Sequence, residues 1–234
     1  MSRRENTHWL KGIKDMKKKS FAVIGAGRFG ENLALSLSEM GHDVLVLDAD
    51  EKKVQELSYQ VTHAVQGDST NEETLKTLGI TNFDVVVVAI GVDLQASILT
   101  SLILKDLGVK YIIAKAQNAL HGKVLEKIGV DRVVFPEKDM GIRIARQLAA
   151  YNVLDCIDLS PDYSVTEFIA PKKMEGKSLG ELGLRARYGI NVIAIRSGEK
   201  INISPLADYM ISKGDLLIAL GENKVMEKLI REQN

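Results

Sequence analysis

Three glycines and an acid carry the first chemical signal in this chain. Gly25, Gly27 and Gly30 follow the apolar run at 21–24 in G-x-G-x-x-G spacing. Asp48 closes a second apolar run, 44–47, about 20 residues further on. Each residue type answers a physical demand. Gly25 lets the chain turn tightly out of a strand, Gly27 leaves no side chain between backbone and phosphate, and Gly30 lets the next helix lie close to the sheet. The N-terminus of that helix offers unpaired N–H groups and the positive end of its dipole to an anion. Asp48 can accept hydrogen bonds from two ribose hydroxyls, and its charge repels a 2′-phosphate. The unit is built for an adenosine-type nucleotide. Its spacing leaves ATP or ADP and NAD(H) equally open.

The elements that must position these residues follow from the apolar pattern. Residues 20–24 read as a buried strand, and Leu33, Leu37 and Met40 mark one face of a helix stopped by Gly41. A strand at 44–48, a helix at 51–59 and a short strand at 61–65 follow, the last running into Gln66-Gly67-Asp68. Ser69 or Thr70 is the expected cap of the next helix, with Glu72 and Glu73 in its first turn. The mostly β-branched run at 84–90 suits a central parallel strand buried on both faces. Leu94, Ile98 and Leu102 mark a helix face, 111–115 a strand, 118–128 a helix closed by Gly129, and 132–135 a last strand stopped by Pro136. The alternation predicts a Rossmann-like, doubly wound parallel α/β domain over 20–138. Ligands in such sheets sit beyond the carboxyl ends of the strands. That rule singles out 25–30, Asp48, Asp68, Ala89, Ile90, Lys115 and Glu137. Each also has an ordinary reading, as a helix cap, a core residue or a solvated lysine.

A helix over 139–151 with Ile142, Ala145 and Leu148 on one face leads through a linker, 139–159, to the boundary at Ser160-Pro161. Short β-like runs at 165–169, 192–195, 201–203 and 216–220 and a helical tail from 222 predict a small α+β domain over 160–234. That domain holds none of the four histidines, and no triad, paired-carboxylate or metal-ligand spacing stands out; the expectation is a protein that is not an enzyme. In 234 residues, 45% are hydrophobic and 31 acids balance 31 Lys and Arg, so no net charge draws the chain to nucleic acid. Residues 1–19 form a basic segment. The single cysteine, Cys156, excludes an internal disulfide and suits a reducing cytosol. No apolar run approaches the roughly 18 residues of a membrane span, and the N-terminal segment lacks the apolar core of a secretory signal.

The motifs taken together are more specific than the glycine turn. FAVIGAGRFG at 21–30, QGDST at 66–70, FDVVVVAIG with LQASILT across 83–100, KAQN with HGKVLEKIGVDRVVFPEKDMG across 115–141, and LRARYGINVIAI at 184–195 resemble the regulator-of-potassium-conductance (RCK) subunits of the Ktr/Trk type. These are cytosolic gating partners of bacterial potassium transporters. The basic segment departs from the family pattern, and Ala26 stands where a bulkier apolar residue is often seen. The resemblance implies that the turn, with Ala26 and Phe29, binds ATP or ADP, and that Arg28 contacts the phosphates, as its charge suits. It implies that Asp48 holds the ribose, Asp68, Ser69, Ala89 and Ile90 flank the adenosine, and Lys115 approaches the nucleotide. It places Glu137 at a subunit contact, helping to hold a divalent or monovalent cation. It makes the 139–151 helix a hinge packed on a second subunit. It further implies dimers stacked in an octameric ring under an integral membrane potassium-translocating subunit, at the inner face of the cell membrane. Cyclic di-AMP in the second domain would meet Arg185, Ala186, Asn191, Val192 and Pro205. The rival readings are a small NAD(H)-dependent oxidoreductase and an NAD(H)-sensing regulator of the same fold.

Overall fold

The structure, a computed structural model, describes residues 18–149 and 153–231. The chain divides into two units, with the boundary in the sequence between Pro136 and Glu137. Most of the basic segment 1–19 lies outside the described residues; Lys18 is described, and its ammonium pairs with Asp43 at 2.7 Å.

In the first unit, strands β1 (Ser20–Ile24), β2 (Asp43–Asp48), β3 (His63–Gln66), β4 (Val85–Val88), β5 (Ile112–Lys115) and β6 (Arg132–Val134) form one sheet in the order β3-β2-β1-β4-β5-β6. All pairings are parallel. Helices α1 (Arg28–Glu39) and α2 (Glu51–Leu57) cover one face, where Ala34 and Leu57 pack with Val23, Val44 and Val46. Helices α3 (Glu72–Thr77), α4 (Leu94–Asp106) and α5 (Ala119–Ile128) cover the other, where Leu75, Leu104 and Leu125 pack with Ile24, Leu47, Val86 and Val88. Each such buried leucine contributes about 1.5–3 kcal/mol through its removal from water. With layers on both faces, the all-apolar β4 is the strand the sequence led one to expect. After β3 the chain crosses back over the sheet to β4, so the direction of winding reverses beside β1, and a crevice opens there beyond the strand ends.

Helix α4 departs from the sequence reading. Its buried residues are Ser97, Thr100, Ser101 and Leu104, while Leu94, Leu99 and Leu102 are 38%, 39% and 43% exposed. The small side chains let α4 approach the sheet closely, and the leucines that mark the periodic stripe face outward. An exposed row of leucines on a helix is a surface that a partner commonly covers.

The second unit is built on an antiparallel sheet. Strands β7 (Val153–Asp158), β8 (Tyr163–Ile169), β9 (Asn191–Ser197), β10 (Lys200–Asn202) and β11 (Leu216–Glu222) take the order β10-β9-β11-β8-β7. Helices α7 (Leu179–Leu182), α8 (Leu184–Tyr188) and α9 (Asn223–Arg231) accompany it, and Leu184, Met226, Leu229 and Ile230 pack with Phe168, Ile195 and Leu217. β7 belongs to the sheet, whereas the sequence pattern left it in the linker. It is an edge strand with a register shift between Val153 and Asp155, and its two aspartates break the apolar pattern. α7 and α8, of 4 and 5 residues, are too short to leave a helical period. Ser178 and Glu181 nonetheless close α7 in a reciprocal capping box.

Helix α6 (Pro136–Ala149) starts earlier than the pattern indicated, with a proline at its first position, where the missing N–H costs nothing. The expected end at 151 lies outside the described residues. Arg143 forms a two-point ion pair with Asp155 of β7 (3.1 and 2.5 Å), which holds the Asp155 carboxyl below its usual range. Met140, Ile142, Ile144 and Leu148 are exposed along α6.

Candidate functional site

The three glycines of the turn are glycines for different reasons. Gly25 has φ 100, a left-handed conformation, and a Cβ there would lie 3.0 Å from the Ile90 nitrogen and 3.1 Å from the Ala89 carbonyl carbon. A Cβ on Gly30 would lie 1.9 Å from the Gly25 carbonyl oxygen, so the start of α1 touches the turn directly. The fold itself demands both. Gly27 is different: its backbone is extended (φ −73, ψ 175), and a Cβ there would meet nothing within 4 Å. Of the three, only Gly27 could take a side chain without a clash, and there the space is open.

The turn is fastened from three sides. The Gly25 N–H donates to the Leu47 carbonyl at 2.8 Å, the Ala89 N–H to the Ile24 carbonyl at 2.7 Å, and the Ala26 N–H to Asp48 Oδ2 at 2.5 Å. Gly27 is the N-cap of α1 and supplies no side-chain cap. The first-turn N–H groups, which have no acceptor within the helix, therefore face the crevice mouth with the positive end of the dipole. Arg28, the first residue of α1, has an exposed side chain. Asp48 ends β2 half-buried; its Oδ1 accepts from the Asp50 N–H at 2.8 Å, with Lys53 Nζ 3.7 Å away. Each carboxylate oxygen keeps a lone pair for a ribose hydroxyl.

Lys115, at the end of β5, is 9% exposed. Its ammonium lies 5.9 Å from the centre of the Phe29 ring, within cation–π range. It also lies 3.3 Å from where a Cβ on Gly91 would stand. The turn, the end of β4 and the end of β5 thus converge, with Ala89 buried and Ile90 half-buried between them.

The loop after β3 behaves differently from the sequence reading. Asn71 caps α3, its side chain accepting from the Glu73 N–H, so neither Ser69 nor Thr70 is the cap. Asp68 is exposed, and its Oδ1 accepts from both the Thr70 N–H (2.8 Å) and the Thr70 hydroxyl (2.7 Å). Those bonds hold its carboxyl below the usual range. The Ser69 hydroxyl is buried against the Thr100 hydroxyl at 2.8 Å. It therefore serves the protein's interior, and Thr100 is a partner that no local pattern marks. The loop remains next to Asp48, because the Gly67 N–H donates to the Asp48 carbonyl at 3.0 Å.

Residues 25–30, Asp48, Ala89, Ile90 and Lys115 therefore lie together at the carboxyl ends of β1, β2, β4 and β5, with the loop that carries Asp68 beside Asp48. Glu137, exposed in the first turn of α6, belongs to the second unit. So do Arg185 and Ala186 on α8, Asn191 and Val192 at the start of β9, and Pro205 after β10. Arg185, Ala186 and Asn191 are exposed, Val192 and Pro205 half-buried. Among the described residues no group of three His, Cys, Asp or Glu is placed to hold a metal ion, and no helix is long and apolar enough to cross a membrane.

Comparison with known proteins agrees with this division. Residues 21–136 match the TrkA-N domain and residues 165–234 the TrkA-C domain. The chain is 52% identical over 204 residues to the Ktr system potassium uptake protein C of Bacillus subtilis, covering 87% of this chain and 92% of that one. It is 46% identical over 217 residues to the Ktr system potassium uptake protein A of the same organism, covering 93% and 98%. Among solved structures, the RCK domain of GsuK superposes with a TM-score of 0.65 at 21% identity, over 94% of this chain and 49% of that one, a likeness of fold.

Proposed function

This chain belongs to the family of Ktr potassium uptake proteins, with a TrkA-N domain followed by a TrkA-C domain, and from that premise we propose that it is the nucleotide-sensing, gating subunit of a potassium uptake system. The observation that carries the nucleotide is the open space at Gly27, set between an uncapped helix N-terminus and the carboxylate of Asp48. In this reading ATP or ADP lays its phosphates over Gly27 against the first turn of α1, with Arg28 reaching them and Asp48 taking the ribose. Asp68, Ala89 and Ile90 border the adenosine, and Lys115 adds positive charge from β5. The groups of the crevice bind and neutralise; the protein acts as a sensor, not as an enzyme.

Two exposed apolar surfaces support a homo-oligomer. One is the outer side of α4, Leu94, Leu99 and Leu102, with Leu120 on the neighbouring α5. The other is Met140, Ile142, Ile144 and Leu148 on α6. Two separate self-association surfaces are what closure into a ring of dimers requires. α6 and the segment to 159 then form the hinge, and Glu137 helps to hold a cation where subunits meet. The second domain takes cyclic di-AMP at Arg185, Ala186, Asn191, Val192 and Pro205. The ring works in the cytoplasm, docked on the inner face of the membrane against an integral potassium-translocating subunit. Nucleotides switch it only by binding two ring states with different affinity.

Calorimetry of the purified chain with ATP, ADP, NAD and NADH, with and without a divalent cation, tests the reading. Binding of ATP and ADP is the expected result; NADH binding without any response to adenine nucleotides would overturn it in favour of an NAD(H) sensor or oxidoreductase.

A further inference from the structure

Three of the four buried residues of α4 carry hydroxyls, Leu104 being the fourth. Ser97, Thr100 and Ser101 are all fully buried. A hydroxyl inside a helix ordinarily turns back to the carbonyl four residues earlier, as Ser101 does to Ser97 at 2.7 Å. Thr100 instead pairs with Ser69, 31 residues away, at 2.8 Å. Ser69 sits in the loop that follows β3, and Thr100 in the helix that follows β4. In the sheet order β3-β2-β1-β4 these lie on opposite sides of β1, whose turn receives the nucleotide. The loop is tied to the ribose acid at one end through Gly67 and closed at the other by the Asn71 cap. Its middle is tied to α4 through this pair. α4 in turn begins just after Ala89 and Ile90, which press on Gly25. The loop that carries Asp68 is therefore tied by a hydrogen bond between two buried hydroxyls to α4, the helix that follows Ala89 and Ile90.

We propose that Thr100 is a positioning residue of the nucleotide site: by holding Ser69 it sets the spacing between the two walls of the adenosine end, without touching the nucleotide. This rests on the nucleotide reading above. Removing either hydroxyl leaves its partner buried and unsatisfied, so the loop relaxes away from α4. The phosphate end, built on Gly27, Arg28 and the start of α1, does not depend on the bond.

The test is calorimetry of the full chain with ATP and with adenosine, on Thr100→Val, which keeps the shape and drops the hydroxyl, and on Thr100→Ser, which keeps the hydroxyl. Thr100→Val should weaken both ligands by the same factor, about three- to tenfold, leaving the ratio of their affinities unchanged. Thr100→Ser should restore both. Ser69→Ala covers the case in which Thr100→Val fails to fold: it should reproduce the loss. Where both fold, the double variant should bind no worse than either single one. Wild-type adenosine affinity in a folded Thr100→Val or Ser69→Ala, or a loss confined to ATP, overturns the positioning role and leaves the nucleotide reading standing. A wild-type chain that binds none of ATP, ADP and adenosine overturns both.

Discussion

Replacing Gly27 with alanine separates what the ligand needs from what the fold needs. At this position φ −73 and ψ 175 are open to any residue, and the added Cβ meets nothing within 4 Å. The folded chain loses a little because alanine is a poorer N-cap than glycine, about 0.5–1 kcal/mol. It gains about 0.4–1 kcal/mol because the unfolded chain has less freedom to lose. The two nearly cancel, and the thermal midpoint followed by circular dichroism should move by less than about 3 °C. The same methyl stands where a phosphate would rest against the backbone. Forcing a methyl into a filled space costs about 1–3 kcal/mol, or about five- to 150-fold in affinity. Gly30→Ala is the contrast: its Cβ would lie 1.9 Å from the Gly25 carbonyl oxygen, so the backbone must shift and stability and binding should fall together. Calorimetry with ATP and ADP beside thermal melts reads all of this. If Gly27→Ala, and the larger Gly27→Val, melt normally and bind nucleotide like the wild type, the space at Gly27 is not the ligand's and the reasoning fails.

Arg28→Ala should weaken ATP far more than adenosine, by about tenfold or more for a lost charge-assisted bond; equal losses would remove its phosphate role. His121 is buried, with Nδ1 accepting from the Gln117 N–H at 3.3 Å, and burial pushes its pKa below 6.5. The unfolded chain therefore binds this proton first, so the stability is fully present above pH 6.5 and is lost as pH falls through the folded value. Urea midpoints between pH 7.5 and 5 should fall more steeply in the wild type than in His121→Gln, and parallel slopes would refute the assignment. Leu99→Asp with Leu102→Asp changes two exposed positions, so the fold should survive while light scattering reports a smaller assembly; an unchanged mass would clear α4 of a subunit role. Arg185→Ala should lower cyclic di-AMP affinity at least about tenfold through a lost charged contact. Unaltered affinity would take that residue out of the second-domain site.

Much of the molecule was legible in the residue string because short-range physics decides it. The turn at Gly25, the acid at Asp48, the β-branched run of β4 and the Gly129 stop each act through sterics or hydrogen bonds within a few residues. Signals of this kind along the six strands set the parallel sheet and the end of it at which the glycine turn stands. What tertiary structure alone decided came from groups far apart along the chain. The leucines of α4 carry a helical period, yet the side that meets the sheet is the one with Ser97, Thr100 and Ser101, because close approach selects small side chains and no local pattern records the distance between layers. The Ser69 hydroxyl looked available to a ligand until a partner 31 residues later claimed it. β7 joined the second sheet through pairing with β8, which its interrupted apolar pattern did not announce. The glycine spacing was plain in the sequence. That Gly25 and Gly30 are demanded by the fold, while Gly27 has open space beside it, depends on which atoms surround each one, and only the folded chain brings those atoms together.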